Sequence, residues 1–210
     1  DAPIHYTLDG SEPTAASPRY TGPVEIGKSA RFRATALREG GENTSYSREF
    51  AFSKSTGRPA VLNTKPNDSY TFEGASLLVD GYHSRPVFTS GAWLGYLDEP
   101  LDVTIDMGGD QSYRSVELET LAEKGDWIFP PSSVTVWVSD NGTDFTEVAS
   151  VTVPEAKAGD ADGIGRYWMQ FPETSARYLK VVAQNAAAIP AWHPGAGSKG
   201  FLFVDEVVVE

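Results

Sequence analysis

The feature that most constrains this chain is a period-two alternation of apolar and polar residues that recurs along its whole length. No segment sustains the i, i+3, i+4, i+7 spacing of a capped amphipathic helix. Side chains two apart share one face of a strand, so each alternating run defines one buried edge. In "PIHYTL", Ile4, Tyr6 and Leu8 fall together, and in "ARFRATA", Phe32, Ala34 and Ala36 do. Further on, "LDVTIDM" places Leu101, Val103, Ile105 and Met107 inward, and "SVTVWVS" does so with Val134, Val136 and Val138. "YSREFAF", "RYLKVVA" and the terminal "FLFVDEVVVE" complete the set. An all-β protein is expected, built from antiparallel sandwiches because the strands are short and separated by turn formers.

The turn-rich stretches "DGSEPTAASP" and "REGGENTS" divide the early strands, and Asp140-Asn141-Gly142 marks a tight turn later. Polar "SKSTGRPA", residues 53–60, reads as a linker between two domains, 1–53 and 58–210. The first is small for a sandwich and opens directly on a strand, so an upstream strand is expected to be missing from it.

Composition narrows the function classes. A net charge of -12 makes the electrostatic term that drives nucleic-acid binding repulsive, so no nucleic-acid partner is expected. No apolar run is long enough to span a bilayer. Cysteine is absent, which removes thiolate chemistry, and the three histidines, His5, His83 and His193, show no zinc spacing. Five Trp, nine Tyr and ten Phe suit either sandwich cores or a surface that stacks on flat ligand faces.

Two resemblances sit on these residues. "IHYTLDGSEPTAASPRYTGPVEI", with Tyr6, Thr7, Asp9, Gly10, Pro13, Ser17, Tyr20 and Pro23, resembles the small Fn3-like β-sandwich that follows the catalytic barrel in bacterial chitobiases and β-hexosaminidases. From about Arg58 onward, "LLVDG", "GAWLGY", "VTIDMG", "DWIFPPSSVTVWVSDNGTDF", "ARYLKVVA" and "AWHPGAGSKGFLFVDEVVV" resemble the discoidin, or coagulation factor 5/8 type C, fold. That galactose-binding-like, eight-stranded jelly roll also underlies family 32 carbohydrate-binding modules. Order and spacing are similar to the C-terminal module of family 20 glycoside hydrolases from Bacteroides-type bacteria. The resemblance implies a partial Fn3-like β-sandwich followed by a discoidin-like β-sandwich jelly roll.

The segment "IPAWHPGAGSKGFLFVDE", residues 189–206, concentrates the chemistry. Simple alternation in its strand puts Leu202, Val204, Glu206 and Val208 on one face and Phe201, Phe203, Asp205 and Val207 on the other. Either way a carboxylate shares a face with apolar residues and must protonate, lie at an exposed edge or meet a cation. The resemblance implies the cation, a structural calcium held by Asp80 and Glu206, with backbone carbonyls near Leu77, Tyr82 and Asp205 completing a shell of about six to eight oxygens. Arg85 stands where the family often carries a threonine ligand. Catalysis by Asp205 and Glu206 is not expected: adjacent strand residues diverge, and the family 20 histidine-glycine-glycine lead-in is missing. "GAGSKG" precedes a strand rather than a helix, so it reads as a flexible turn and not a phosphate loop.

Trp192-His193-Pro194 lies in the last loop. A sugar offers an apolar face to an indole and hydroxyls to fixed donors and acceptors. Together with the family 32 resemblance, this marks Trp192 and His193 as carbohydrate-binding candidates, joined by Trp127, Asp126 and Tyr96. Trp93, Trp137 and Trp168 are assigned to packing. The expected function is a non-catalytic accessory region of a secreted, periplasmic or outer-surface β-N-acetylhexosaminidase. It would be monomeric, with an N-acetylhexosamine- or galactose-containing glycan and the parent catalytic barrel as partners. A calcium-stabilised structural module without ligand and a protein-adhesion discoidin domain are the alternatives.

Overall fold

The computed structural model describes residues 2–38, 40 and 42–210. The turn expected over "REGGENTS" includes Glu39 and Gly41, which lie outside the described residues. The chain divides into two compact units, Asp1–Phe52 with Gly81–His83, and Ser53–Asp80 with Ser84–Glu210.

The first unit holds one antiparallel sheet, β1 (Ile4–Thr7), β2 (Ala30–Ala36) and β3 (Thr44–Phe50), in the order β1-β2-β3. Registers Tyr6↔Ala34 and Ala34↔Tyr46 gather the apolar residues on one face. There Tyr6 stacks on Phe32 at 5.9 Å and Phe32 meets Tyr46 edge-on at 6.4 Å. The other face is polar, with Arg31 paired to Glu49, Arg33 to Glu12, and the Thr35 and Ser45 hydroxyls 3.0 Å apart. On that apolar face Tyr6, Phe32, Ala34 and Ala36 are half-buried, and Ile4, Leu8 and Tyr46 are exposed.

The second unit contains β4 (Ala60–Leu62), β5 (Leu94–Tyr96), β6 (Leu101–Ala122), β7 (Ser133–Ser139), β8 (Thr146–Thr152), β9 (Gly163–Gln184) and β10 (Leu202–Val209). β6 and β9, 22 residues each, run antiparallel over their whole length, but the register breaks between Asp106 and Gln111. Gly108 and Gly109, at φ +81° and +155°, supply backbone geometry at that break that other residues resist. Asp106 fastens it, accepting from the Gly108 amide at 2.9 Å and from Arg177 at 3.0 and 2.8 Å.

Beyond the break the ribbon changes neighbours. Its open end pairs with β4 on one side and β7 on the other, with β8 beyond. The half from Ser115 to Ala122 pairs instead with β10, and β10 with β5. Leu101, Val103, Ile105, Val134, Val136, Leu179 and Val181 from the first set share one buried cluster with Val116, Leu118, Leu202, Val204, Val207 and Val209 from the second. The two sets are therefore facing layers of a jelly-roll sandwich, and the long strands belong to both. Each fully buried aliphatic side chain in this core contributes roughly 1.5–3 kcal/mol relative to exposure.

Two sequence expectations need correction. Residues 53–58 are not a free linker. Ser55 is buried and donates to the Val207 carbonyl at 2.5 Å, and the Lys54 and Gly57 amides bond the carbonyls of Val209 and Val79. Simple alternation also fails in β10. Val204 pairs with Thr120 and Val207 with Leu118, so Asp205 and Glu206 together oppose Glu119 in a β-bulge. The extra residue lets Leu202, Val204, Val207 and Val209 all enter the core cluster. The two carboxylates absorb the change of parity.

Candidate functional site

Because the β6/β9 ribbon folds over, both its ends lie at the same end of the sandwich, where segments 123–132, 153–162 and 185–201 meet. The turn after β6 is closed by reciprocal backbone bonds between Glu123 and Ile128, with the Trp127 amide donating to the Lys124 carbonyl at 3.0 Å. Trp127 sits at φ +64°, a left-handed conformation that bulky residues avoid, and its carbonyl accepts from the Phe201 amide at 2.8 Å. The last loop is pinned at Ile189, whose amide donates to the Ser198 carbonyl at 2.8 Å and whose carbonyl accepts from the Gly197 amide at 2.9 Å.

His193 joins the two segments and is 8% exposed. Its Nδ1 accepts from the Gly195 amide at 3.0 Å, so Nε2 carries the proton and donates to the Lys124 carbonyl at 2.9 Å. Trp127 and Trp192 both meet this imidazole edge-on, at 6.1 and 5.5 Å, and Phe129 packs on it at 5.5 Å. Trp192 also donates its Nε1 proton to the Ala156 carbonyl at 2.9 Å. The two indoles remain 43% and 39% exposed. A groove of about 390 Å³ continues beside Trp192, lined by Phe129, Pro131, Pro154, Ala156, Ala187 and Ile189 among others.

The glycines of "GAGSKG" now have reasons. A Cβ on Gly195 would lie 2.8 Å from Trp127 Cζ2, and one on Gly200 would lie 2.8 Å from a Phe129 ring carbon. Gly197 turns the chain at φ +82°.

Of the five carbohydrate-binding candidates, four gather here: Trp192, His193, Trp127 and Asp126, the last exposed at the rim. Tyr96 does not. It is 0% exposed on β5 within the main core, where burial raises its hydroxyl above the ordinary tyrosine value, so no ligand reaches it. His193 is present as a spacer between two rings, with both nitrogens committed to backbone. Trp93 is buried as expected and Trp137 half-buried, but Trp168 is 58% exposed. Its stretch of β9 pairs with β6 alone, so nothing in the sheet covers that flank.

Glu123 and Asp126 bracket one turn of 3₁₀ helix, residues 124–126, which brings i and i+3 side chains over each other. Burial, then the Asp126 charge and hydrogen bond and the Asp162 charge, raise the Glu123 carboxyl above its ordinary value. Lys124, the one cation of the turn, is turned inward and paired with Asp162.

The expected metal residues behave differently. Asp205 and Glu206 are enclosed at the bulge, and Asp205 Oδ2 accepts from the Ser84 amide at 2.7 Å. Burial, with added charge from Glu119 and Asp80, pushes the Asp205 carboxyl up to about 8 despite that bond. Leu77 is buried in the 3₁₀ segment Gly74–Val79 that Asp80 caps. Tyr82 belongs to the first unit, where the Arg48 guanidinium lies 3.6 Å over its ring. Among the described residues no three His, Asp or Glu side chains form a metal-ligating group. The bulge also removes the sequence reason for setting the acidic pair aside as catalytic, that the two side chains diverge. Their enclosure replaces it, since no substrate reaches them.

Residues 63–199 match the F5/8 type C domain family, and residues 1–50 match the Fn3 associated family. Similar solved structures include CpGH89CBM32-5 from Clostridium perfringens in complex with GalNAc-β-1,3-galactose. It is 17% identical with TM-score 0.48, covering 72% of this chain and 93% of that one. The chitosan-binding module 2 of a chitosanase/glucanase from Paenibacillus sp. IK-5, in complex with chitotriose, is 18% identical with TM-score 0.48, covering 75% and 98%. A Streptococcus pneumoniae fucose binding module is 22% identical with TM-score 0.46, covering 75% and 94%. No curated protein matches the chain.

Proposed function

Because this chain belongs to the F5/8 type C domain family, we propose that its second unit is a carbohydrate-binding module whose ligand stacks on Trp127 and Trp192. The observation that carries this is the pair of indoles left about 40% exposed on hydrogen-bonded loops, with Asp126 at the rim. A bracing module would bury both rings. Such a shallow platform buries little area, so binding is weak. The ligand is an N-acetylhexosamine- or galactose-containing glycan. The module serves as a non-catalytic, monomeric accessory of a β-N-acetylhexosaminidase of glycoside hydrolase family 20, of Bacteroides type, outside the cytoplasm. It holds the catalytic barrel near its substrate. A glycan array probed with the protein and with Trp192→Ala tests the reading. Binding to such glycans, weakened in the variant, is expected. No binding to any N-acetylhexosamine or galactose glycan would sink it.

A structural calcium is part of the same proposal. The donors are all oxygen, and Asp205 and Glu206 lie enclosed together opposite Glu119, where burial disfavours the charged carboxylates unless a hard cation offsets them. Asp80 and Glu206 would hold it with backbone carbonyls near Leu77 and Asp205. When bound, the ion neutralises enclosed carboxylates. A chelator should then lower the melting temperature, and calcium should restore it. An unchanged melt removes the metal from the account.

A further inference from the structure

The groove of about 390 Å³ beside Trp192 has a chemistry that the sugar platform does not use, and what it implies rests on the glycan reading above. Its volume falls in the range of about 300–1,000 Å³ usual for ligand clefts. Prolines and alanines supply most of its walls, which come from segments 129–132, 153–156 and 186–191. Of the described residues that line it, Glu155 alone is charged, and it is exposed. The Ser132 hydroxyl is engaged, donating to the Asn185 carbonyl at 2.8 Å. Among the described residues, by contrast, no hydrogen bond reaches the backbone of Ala186, Ala187 or Ala188. Three successive residues on one wall thus keep both N–H and C=O groups open, and their methyl side chains allow another backbone to come close. The groove is continuous with the platform: Phe129 lines it and lies 6.4 Å from the Trp192 ring, and Ala156, another lining residue, accepts the Trp192 Nε1 proton at 2.9 Å.

We propose that this groove binds the peptide that carries a glycan, so that the ligand is a glycopeptide, with its sugar on Trp192 and a short, uncharged stretch of small residues along Ala186–Ala188. Amide groups of the peptide pair with the open N–H and C=O groups of that wall, while its small apolar side chains meet prolines and methyls. An alkyl chain would cover the same amides without bonding them and leave desolvated polar groups behind. Further sugar units would press hydroxyls against prolines and methyls, where Ser132 is the one hydroxyl and is already engaged. Alanine- and proline-rich peptides are extended before they bind, so little ordering is required. Two such amide hydrogen bonds raise affinity about five- to twentyfold over the sugar alone.

Calorimetric titration of the full chain reads this with one sugar, N-acetylgalactosamine, presented in three ways: as its methyl glycoside, as its octyl glycoside, and on the threonine of a blocked proline-alanine-threonine-alanine-proline peptide. The bare peptide is the fourth ligand. The glycopeptide is expected to bind about five- to twentyfold tighter than the methyl glycoside, and tighter than the octyl glycoside and the bare peptide. In Ala187→Glu and, separately, Ala188→Glu, each at an exposed position and checked for an unchanged thermal melt, a longer side chain crosses that wall. The ratio of glycopeptide to methyl glycoside affinity should then fall below about twofold. A glycopeptide no tighter than the methyl glycoside, an octyl glycoside or bare peptide that matches it, or a ratio unchanged in both variants overturns the peptide proposal. The methyl glycoside and its galactose counterpart test the glycan reading separately: their binding leaves it standing whatever the groove does, and no binding by any of the sugar-bearing ligands overturns both.

Discussion

Replacing Gly195 by alanine perturbs the platform at one atom. The new methyl would lie 2.8, 2.9 and 3.1 Å from Trp127 Cζ2, Cη2 and Cε2, closer than carbon atoms tolerate. Because the Trp127 backbone is held by bonds to Lys124 and Phe201, the ring cannot retreat as a whole and must rotate off the imidazole edge. Overpacking costs about 1–3 kcal/mol. It is offset by the roughly 0.4–1 kcal/mol that alanine contributes by restricting the unfolded chain, since Gly195 has no positive φ. The net loss is about 1–2 kcal/mol, a melting temperature lower by roughly 2–8 °C for a domain of this size. Displacing one stacking surface should also weaken glycan binding about three- to tenfold. Gly125→Ala is the control, because nothing lies within 4 Å of its Cβ. Thermal denaturation and calorimetric titration of both variants decide the matter. If Gly195→Ala binds and melts like Gly125→Ala, the Trp127 indole does not rest where the structure puts it.

Other outcomes follow from other parts of the fold. Val207→Ala should cost about 1.5–3 kcal/mol by urea denaturation and Val208→Ala well under 1 kcal/mol; the reverse order would mean that β10 has no bulge. Hydrogen bonds from Arg177 and then the Gly108 amide hold the Asp106 carboxyl down to about 2. Its stabilisation of the β6 bend is therefore fully present above the ordinary aspartate range and lost as pH falls toward 2. The melting-temperature gap between the protein and Asp106→Asn should shrink over that range, and a gap constant with pH refutes the pairing. Trp168→Ala should leave stability and glycan affinity nearly unchanged, because its ring is 58% exposed, belongs to neither buried cluster and makes none of the ring contacts that join Trp127, His193 and Trp192.

Much of the architecture was legible because burial writes itself into period-two sequence. Leu101, Val103 and Ile105 in β6, and Val134 and Val136 in β7, face the core as alternation requires. What alternation cannot register is a change of parity. The β10 bulge inverts the faces of everything after Val204, and only the incongruity of two carboxylates in an apolar run hinted at it. Strand length was equally hidden, since the Gly108-Gly109 break reads as an ending although β6 continues past it into the second layer. At the candidate site the aromatic residues of the two loops were identifiable by type, but exposure was not. Tyr96 and Trp168 are aromatic like Trp127. Their different burial is set by which sheet edges are covered, a property of the assembled layers. Glu123 went unnoticed because its relation to Asp126 depends on a single 3₁₀ turn too short to show periodicity.

The central claim is that glycan binds at Trp127 and Trp192, and the five indole N–H resonances of the protein report on it at once. In a titration with N-acetylglucosamine, galactose and glucosamine oligosaccharides followed by ¹H–¹⁵N spectra, the signals of Trp127 and Trp192 should move together on binding. Those of buried Trp93, half-buried Trp137 and exposed Trp168 on β9 should stay in place. Shifts confined to Trp168, or no indole shift with any of these sugars, would contradict the claim.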